Sequence, residues 1–385
     1  MSGRDAVIVA AVRTPVGRRG GSLSHSHPVD LSGQLLTALG DRTGLDPAVV
    51  EDVIWGCVEQ VGAQSNNIAR SAVLAAGWPE SVPGTTVHRQ CGSSQQSVHF
   101  AAAGLIAGHY DAVVAGGIEM MTQIPLGSAR GQDLGDPMSP DMSERYGLPS
   151  FSQGLGAELM AQQWGLSRQR LDEFALSSHD KAATAVSSGA FTEQVVPVRL
   201  GDGTTFSVDE GVRQGGTVES LGKLRAPFAE DGVITAGNAS QISDGAAAIL
   251  LMTSEAARRH GLTPLARVHT AVVAGDDPVI MLTAPIPATR KALQRAGLGI
   301  DDIGAFEVNE AFAPVPLAWL TEVGAEEKAL NPNGGAIALG HPMGASGARL
   351  MTTLVHHMRA NGVRFGLQTM CEGGGMANAT ILELL

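Results

Sequence analysis

Cysteine is scarce in this sequence, which has three in 385 residues: Cys57, Cys91 and Cys371. Their wide spacing matches neither a disulfide framework nor the ligand pattern of a zinc site, so no metal centre is predicted. An odd number of free thiols is typical of proteins in a reducing compartment. We therefore expect a cytoplasmic protein.

Positive charge is also in short supply, because 26 Lys and Arg stand against 38 Asp and Glu and leave a net charge of −12. A negative surface repels a nucleic-acid backbone and anionic lipid, so neither is an expected partner. Any cationic site for a phosphate-bearing ligand must be small. No apolar run approaches the ~18 residues of a membrane-spanning helix. Residues 1–15 lack the pattern of a signal peptide.

Strand and helix patterns alternate along the first third of the chain. Apolar, β-branched runs predict strands, and longer periodic segments predict helices. The predicted strands are 6–12, 53–55, 85–87 and 112–115, the last ending at Gly116-Gly117, and the predicted helices are 31–39, 66–76 and 93–107. Such alternation favours a mostly parallel sheet covered by helices.

The last third of the chain repeats this order. The predicted strands are 266–273, 305–308 and 367–370, and the predicted helices are 289–296 and 344–358. Residues 344–358, like 93–107, follow a glycine-rich turn. The glycines at 373–375 follow a predicted strand, as Gly116-Gly117 do. An internal repeat of this kind indicates two copies of one supersecondary unit. We therefore predict an α/β protein of two similar mixed-sheet halves packed together.

A long segment between the two halves, 120–236, differs from them in composition. It is richer in Ser, Gln, Gly and Pro, and its only long predicted helix is 167–187. Long insertions in compact enzymes often form lids or binding loops, although this one could serve oligomerisation alone. The predicted domains are 1–119 plus 237–262, the insertion 120–236, and 263–385.

One cysteine lies where a strand meets a helix, within residues 88–94 (HRQCGSS). The free N–H groups and positive end of the helix would favour the thiolate of Cys91. A free thiol is mostly protonated at neutral pH, so a nearby base would still be needed. The alternative is a small buried side chain without a chemical role.

A histidine lies in a glycine-dense loop that leads into a helix, residues 331–335 (NPNGG) and 340–347 (GHPMGASG). Glycine lets the backbone approach a ligand closely, and Pro342 stiffens the turn that carries His341. The loop could equally be a helix cap with an incidental histidine.

Two further segments end strands with chemically useful groups. Residues 370–375 (MCEGGG) place Cys371 before consecutive backbone N–H groups, a combination suited to a proton-transferring thiol beside an oxyanion hole. Residues 307–312 (EVNEAF) place Asn309 where it could hold a water or an oxyanion. The alternatives are a small apolar residue before a turn and a helix cap.

Taken together, these segments resemble the thiolase family over essentially the whole chain. Five blocks occur in the family's order: 88–94, 235–240 (TAGNAS) with 244–247 (DGAA), 309–312 (NEAF), 340–342 (GHP) and 371–375 (CEGGG). Residues 89–96 (RQCGSSQQ) and 369–372 (TMCE) are most similar to actinobacterial thiolases of steroid side-chain breakdown. The resemblance implies the thiolase fold, with the insertion as a loop domain.

The resemblance also implies a role for each candidate catalytic residue. Cys91 would take the acyl group, activated by His341. A water held by Asn309 and the His341 ring would stabilise the first thioester oxyanion. Cys371 would move the proton on the α-carbon or on the incoming CoA thiol, and the backbone N–H groups of Cys91 and Gly373 would form a second oxyanion hole.

The partners implied are acyl-CoA and CoA, with CoA as cosubstrate and no cofactor. The resemblance assigns CoA contacts to Leu224, Phe228, Ala236, Ser240, Met281 and Phe312, and places the cations Arg225 and Lys223 near its phosphates. Exposed, solvated charge is an equally good account of those two cations. A homodimer or homotetramer is expected.

One departure from the family bears on the substrate. Thiolases of the acetoacetyl-CoA type place a His-Met pair near the acyl pocket, where this chain has Ser152-Gln153. We therefore expect cleavage of a bulky 3-ketoacyl-CoA, fatty or steroid-derived, to acetyl-CoA or propionyl-CoA and a shortened acyl-CoA. A short-chain acetyltransferase is the alternative.

Two rival functions lie outside the thiolases. A condensing enzyme of the ketoacyl synthase kind pairs its cysteine with two histidines, whereas this chain has Asn309 and Cys371 in the corresponding places. A non-catalytic CoA- or lipid-binding protein would be expected to have lost one of the four residues Cys91, Asn309, His341 and Cys371.

Overall fold

A mixed β-sheet covered by helices organises the computed structural model, which describes residues 3–130 and 135–385. The strands are β1 (Val7–Arg13), β2 (Gly17–Arg18), β3 (Asp52–Gly56), β4 (Thr85–Val87), β5 (Ala112–Met120), β6 (Val198–Arg199), β7 (Thr205–Phe206), β8 (Ser243–Met252), β9 (Ala266–Gly275), β10 (Ala305–Val308), β11 (Phe365–Glu372) and β12 (Met376–Leu384). The helices are α1 (Pro28–Thr43), α2 (Ile68–Ala75), α3 (Ser93–Ala107), α4 (Pro140–Tyr146), α5 (Gln153–Gln163), α6 (Arg168–Ser187), α7 (Val218–Gly222), α8 (Ser254–Arg259), α9 (Pro285–Ala296), α10 (Pro314–Val323), α11 (Ala336–Leu339) and α12 (Met343–Asn361).

The strand order shows that the two halves share one plan. The main sheet runs β10-β11-β12-β9-β1-β8-β5-β3-β4, and the short β2 pairs with β8. The first strands of the two halves, β1 and β9, lie at the centre, and β3 and β10 lie towards the two edges. The halves join where β1 pairs with β9, Val7 opposite Arg267 and Ile8 opposite Ala266. This arrangement confirms the prediction of two similar mixed-sheet halves.

The expectation of a mostly parallel sheet was wrong. Among the strands that the structure describes, parallel pairing joins only β3 with β4, β3 with β5, and β10 with β11. Strand β8 is antiparallel to both of its neighbours, and β12 is antiparallel to β9 and β11. The cause lies in the connections: β8 returns after the long insertion, and β12 follows β11 through a tight turn, so neither strand has the helical crossover that a parallel strand requires.

The strand over residues 112–115 also extends further than predicted. Strand β5 continues through Gly116 and Gly117 to Met120 and is buried throughout. A Cβ on Gly116 would lie 2.2 Å from the Ala247 carbonyl oxygen, and one on Gly117 would lie 2.1 Å from the Gly344 carbonyl oxygen. These glycines therefore permit close packing inside the sheet and do not form a turn.

Helices α3 and α12 occupy equivalent places in the two halves and pack against each other. The backbone N–H of Ala348 donates to Ser94 Oγ at 2.9 Å, and a Cβ on Gly347 would lie 2.3 Å from the backbone nitrogen of Gln95. Small residues at the start of α12 allow this close approach. Both helices begin at the same region of the molecule, which brings the loops before them together.

The insertion carries α4 to α7 and the short β6-β7 ribbon. The long helix predicted over 167–187 is present as α6, with Ser167 as its N-cap. The boundaries proposed for the three domains stay a prediction. Within the described part of the chain, no helix combines the length and hydrophobicity needed to cross a membrane.

Candidate active site

Four loops converge beside the N-termini of the two central helices. They carry Cys91 just before α3, His341 between α11 and α12, Cys371 at the end of β11, and Asn309 just after β10. All four residues are buried. The loops come from both halves, so the fold brings together residues that are up to 280 positions apart in the sequence.

Cys91 lies in a tight turn. Gln90 has a φ of 47°, and the N–H groups of Gly92 and Ser93 donate to the carbonyls of Arg89 and Gln90 at 3.0 and 3.1 Å. An apolar cluster surrounds the cysteine, made of Val58, Met121, Met343 and Met370. The turn fixes the thiol at the start of α3, as the sequence predicted.

The helix end does not suffice to ionise this thiol. Burial raises the pKa of Cys91 above its ordinary value, and the nearby Cys371 thiol and Glu372 carboxylate raise it further. The cysteine's own backbone N–H lowers the pKa, but burial outweighs it. Cys91 is therefore a neutral thiol at rest and needs a base to become a nucleophile.

Hydrogen bonds to Ser346 assign the tautomer of His341. The Ser346 hydroxyl donates to the Pro342 carbonyl at 2.8 Å and lies 2.6 Å from His341 Nδ1. Since its single hydrogen is used by Pro342, the hydroxyl accepts from Nδ1–H. His341 Nε2 is then the unprotonated nitrogen, and Asn309 Nδ2 lies 3.5 Å from it. Burial, together with the charge of Arg349, lowers the pKa of His341 to about 3, so the ring is neutral.

Asn309 links the histidine to the second thiol. Its side chain lies near enough to Cys371 to lower the pKa of that thiol, and its Oδ1 is buried without a hydrogen-bond partner among the described residues. Burial raises the pKa of Cys371 to about 12, although the Asn309 side chain and the Ala311 backbone N–H lower it. Cys371 is thus a proton donor in the resting protein.

The glycine turn after Cys371 packs against the turn that holds Cys91. A Cβ on Gly373 would lie 3.2 Å from Gln90 Cδ, and Gly374 and Gly375 have φ values of 84° and 74°. Such backbone requires glycine and leaves room for a ligand. Gly373 therefore lies against the turn that carries Cys91, and its part in an oxyanion hole stays a prediction.

Three residues that support the loops were missed in the sequence. Ser346 orients the imidazole. Glu119 accepts hydrogen bonds from the backbone of Val58, Glu59 and Gly344 and from Gln64, and so joins the wall of the Cys91 cluster to the start of α12. Glu310 accepts from Ser178, Asn331 and the Ile337 N–H, tying α6 to the histidine loop. Ser346 and Glu310 lay within quoted motifs, whereas Glu119 did not.

Three of the predicted CoA-binding residues lie beside the Asn309 loop, and the others differ in their exposure. The rings of Phe228 and Phe312 meet edge to face with centroids 6.1 Å apart, and the Ser240 N–H donates to the Ala311 carbonyl at 2.9 Å. Those three residues therefore lie beside the Asn309 loop. Leu224, Ala236 and Arg225 are exposed, Met281 is buried, and Lys223 pairs with Glu219 at 3.2 Å.

Ser152 and Gln153 begin helix α5, where Ser152 Oγ accepts from the Leu155 N–H at 3.4 Å. The next residue, Gly154, is so close to Phe228 that a Cβ would lie 2.2 Å from its ring. The departure from the family pattern is therefore adjacent to a predicted CoA contact.

The fold and the site define a thiolase, a class of acyltransferase. Residues 6–255 match the family described as "Thiolase, N-terminal domain", and residues 262–384 match "Thiolase, C-terminal domain". The chain therefore belongs to the thiolase family, as the sequence motifs predicted.

Several curated relatives match nearly the whole chain. A steroid 3-ketoacyl-CoA thiolase, FadA6, of Mycobacterium tuberculosis is 51% identical over 99% of this chain and 94% of its own length. A 3-ketoacyl-CoA thiolase of Escherichia coli is 44% identical, covering 98% of each chain. The crystal structure of the Bacillus anthracis acetyl-CoA acetyltransferase superposes with a TM-score of 0.91 at 38% identity, covering 100% of this chain and 99% of that one.

Proposed function

We propose that this thiolase cleaves a 3-ketoacyl-CoA with CoA, through an acyl-enzyme on Cys91, to acetyl-CoA or propionyl-CoA and a shortened acyl-CoA. The observation that carries the proposal is the buried site in which two neutral thiols, a neutral imidazole and Asn309 lie side by side. The relatives named 3-ketoacyl-CoA thiolase support the reaction class.

In the first half-reaction, His341 Nε2 takes the proton of Cys91, and the thiolate attacks the 3-keto carbon. The bond between C2 and C3 breaks, leaving an acyl thioester on Cys91 and the enolate of the departing acyl-CoA. Cys371 protonates that enolate at C2. A thiol whose pKa is about 12 is protonated at neutral pH and can fill this role.

In the second half-reaction, the Cys371 thiolate takes the proton of an incoming CoA thiol. The CoA sulfur attacks the acyl carbon on Cys91, and the Cys91 sulfur leaves and regains its proton from His341. The backbone N–H groups of Cys91 and Gly373 stabilise the oxyanion at one step, and His341 with an Asn309-held water does so at the other. Losing one such donor typically costs about 10²–10³ in rate.

Two separate thiols are needed because one sulfur cannot hold the acyl group and transfer a proton at the same time. This scheme uses CoA as cosubstrate and requires no further cofactor. The CoA molecule extends from the site past Phe312 and Phe228 towards Leu224, Ala236 and Ser240, with Met281 at its pantetheine end. Arg225 and Lys223 provide cations near its phosphates.

The preferred acyl group is bulky, fatty or steroid-derived. Ser152 and Gln153 beside Phe228 support this assignment, as does the methionine-lined wall around Cys91, because methionine side chains adapt to varied shapes. The relative named steroid 3-ketoacyl-CoA thiolase points the same way. A short-chain acetyltransferase is the second candidate, supported by the similarity to the Bacillus anthracis enzyme.

A panel of 3-ketoacyl-CoAs of increasing size, assayed for CoA-dependent cleavage, tests both points. We expect kcat/KM for a bulky substrate to exceed that for acetoacetyl-CoA by about tenfold, the factor that ~1.4 kcal/mol of additional transition-state contact provides. If acetoacetyl-CoA is the best substrate, the chain is a short-chain acetyltransferase. Binding of CoA without turnover of any substrate would indicate a non-catalytic protein.

Two further properties are proposed with this function. A cytoplasmic location is supported by three cysteines that are all free thiols. A homodimer or homotetramer is the expected assembly, and light scattering after gel filtration distinguishes the two from a monomer.

A further inference from the structure

A buried carboxylate lies directly behind the nucleophile turn. Glu372 follows Cys371 on β11, and its side chain is fully buried. Neither of its oxygens has a hydrogen-bond partner among the described residues, and the nearest cation, Arg89, lies 4.0 Å away and is partly exposed. An ionised carboxylate without hydrogen bonds at such a depth is costly.

Strand alternation places this carboxylate on the side of β11 opposite to Cys371. It lies against the backbone of the Cys91 turn: a Cβ on Gly92 would lie 2.0 Å from Glu372 Oε1 and 2.9 Å from Asn378 Nδ2. Substrate cannot reach Glu372 without displacing that turn. Any influence on the reaction must therefore pass through Gly92 and Cys91.

Asn378 connects the carboxylate to the turn. Its Nδ2 donates to the Gly92 carbonyl at 3.1 Å, whereas its Oδ1 is buried without a partner in the part of the chain that is described. The cluster thus has three buried acceptor oxygens and lacks a donor for them. A proton on Glu372 would supply that donor.

We propose that Glu372 is a positioning residue that works as a neutral acid: its O–H donates to Asn378 Oδ1, Asn378 holds the Gly92 carbonyl, and the turn thereby holds Cys91. Loss of that proton removes the donor and places a negative charge beside Cys91, which opposes thiolate formation. Acylation then slows as pH rises. The inference rests on the proposed Cys91 acyl-enzyme.

The charged and titratable groups around Glu372 favour its protonated form at neutral pH. Arg89 and Cys91 face the cluster from the turn before α3, His99 from α3, and Cys371 from β11; the β12 residue at the site is Asn378. Burial raises the pKa of Glu372 to about 8, and the charge of Arg89 and then the nearby backbone N–H of Asn378 lower it. His99 carries no charge to offset the carboxylate, because burial and then Arg89 lower its pKa to about 3.

The test is the rate of Cys91 acylation by acetyl-CoA between pH 6 and pH 9.5 in single-turnover experiments. For the natural protein we expect a fall of about fivefold between pH 8 and pH 9, since the protonated fraction of a group with a pKa of about 8 falls from roughly a half to roughly a tenth. Glu372→Gln keeps a donor that cannot ionise, so it should stay within about twofold of the natural rate at pH 7 and lack the fall. Glu372→Leu lacks the donor and should be slow at every pH.

A second variant guards against misfolding of the Glu372 substitutions. Arg89→Gln removes the cation that lowers the pKa of Glu372, so the alkaline fall should move to higher pH, by about one unit at most. An unchanged fall in Glu372→Gln, or a fall that moves to lower pH in Arg89→Gln, would overturn the inference. Absence of any acyl adduct on Cys91 in the natural protein would instead refute the proposed function.

Discussion

Replacing Ser346 by Ala tests the assigned role of His341. The Ser346 hydroxyl is fully buried and lies 2.6 Å from His341 Nδ1 and 2.8 Å from the Pro342 carbonyl. Its removal leaves the Nδ1–H of the working tautomer without a partner, which costs about 1–3 kcal/mol for a buried donor. If the whole penalty falls on the tautomer with a free Nε2, acylation of Cys91 should slow by about 5- to 150-fold.

The assay is single-turnover acylation followed by mass spectrometry, with the melting temperature measured in parallel. Ser97→Ala is the matched control, because Ser97 is also fully buried and donates to the carbonyl four residues earlier, at 3.1 Å, in helix α3. The control should lose stability but keep its acylation rate. Acylation by Ser346→Ala within twofold of the natural rate would refute the tautomer assignment.

Three other outcomes follow from the same geometry. Cys371→Ala should still acylate Cys91 but stop exchange of the α-protons of acetyl-CoA, and equal loss of both steps would contradict the division of roles. Gly92→Ala should destabilise the protein by about 1–3 kcal/mol, because its Cβ would lie 2.0 Å from a buried carboxylate oxygen, whereas Gly222→Ala, with open space around it, should not. The pKa of His341 is lowered to about 3 in the folded protein, so the free energy of unfolding should fall as pH falls from 6.5 towards 3, by about 1.4 kcal/mol per pH unit. Urea titrations of His341→Asn at the same pH values should lack the part of this fall that is due to His341.

Much of the secondary structure could be predicted from the sequence. Helix α3 and strands β4 and β10 have the predicted bounds, because glycine turns and short β-branched runs delimit them. Strand direction could not be predicted in the same way. It depends on whether a connection is a helical crossover, a hairpin or a long insertion, and local periodicity does not contain that information.

The four candidate catalytic residues could be proposed from motifs, but their supporting groups could not. Glu119 and Glu372 have roles only through partners far along the chain, such as the 225 positions between Glu119 and Gly344. Ser346 is only five residues from His341, but its role depends on side-chain geometry that the motif does not show. The effect of burial on the electrostatics could not be predicted either. The helix N-terminus was expected to favour the thiolate of Cys91 with the help of a base, whereas burial outweighs that effect and raises the pKa of the thiol.

The most direct test of the central claim is the mass of the peptide that contains Cys91 after incubation with acyl-CoA. The proposed mechanism predicts one added acyl group on that peptide, unchanged labelling in the control Cys57→Ala, and none in Cys91→Ala. Cys91→Ala should also retain less than about a thousandth of the natural turnover. Acyl transfer to another residue, or substantial turnover without Cys91, would contradict the account.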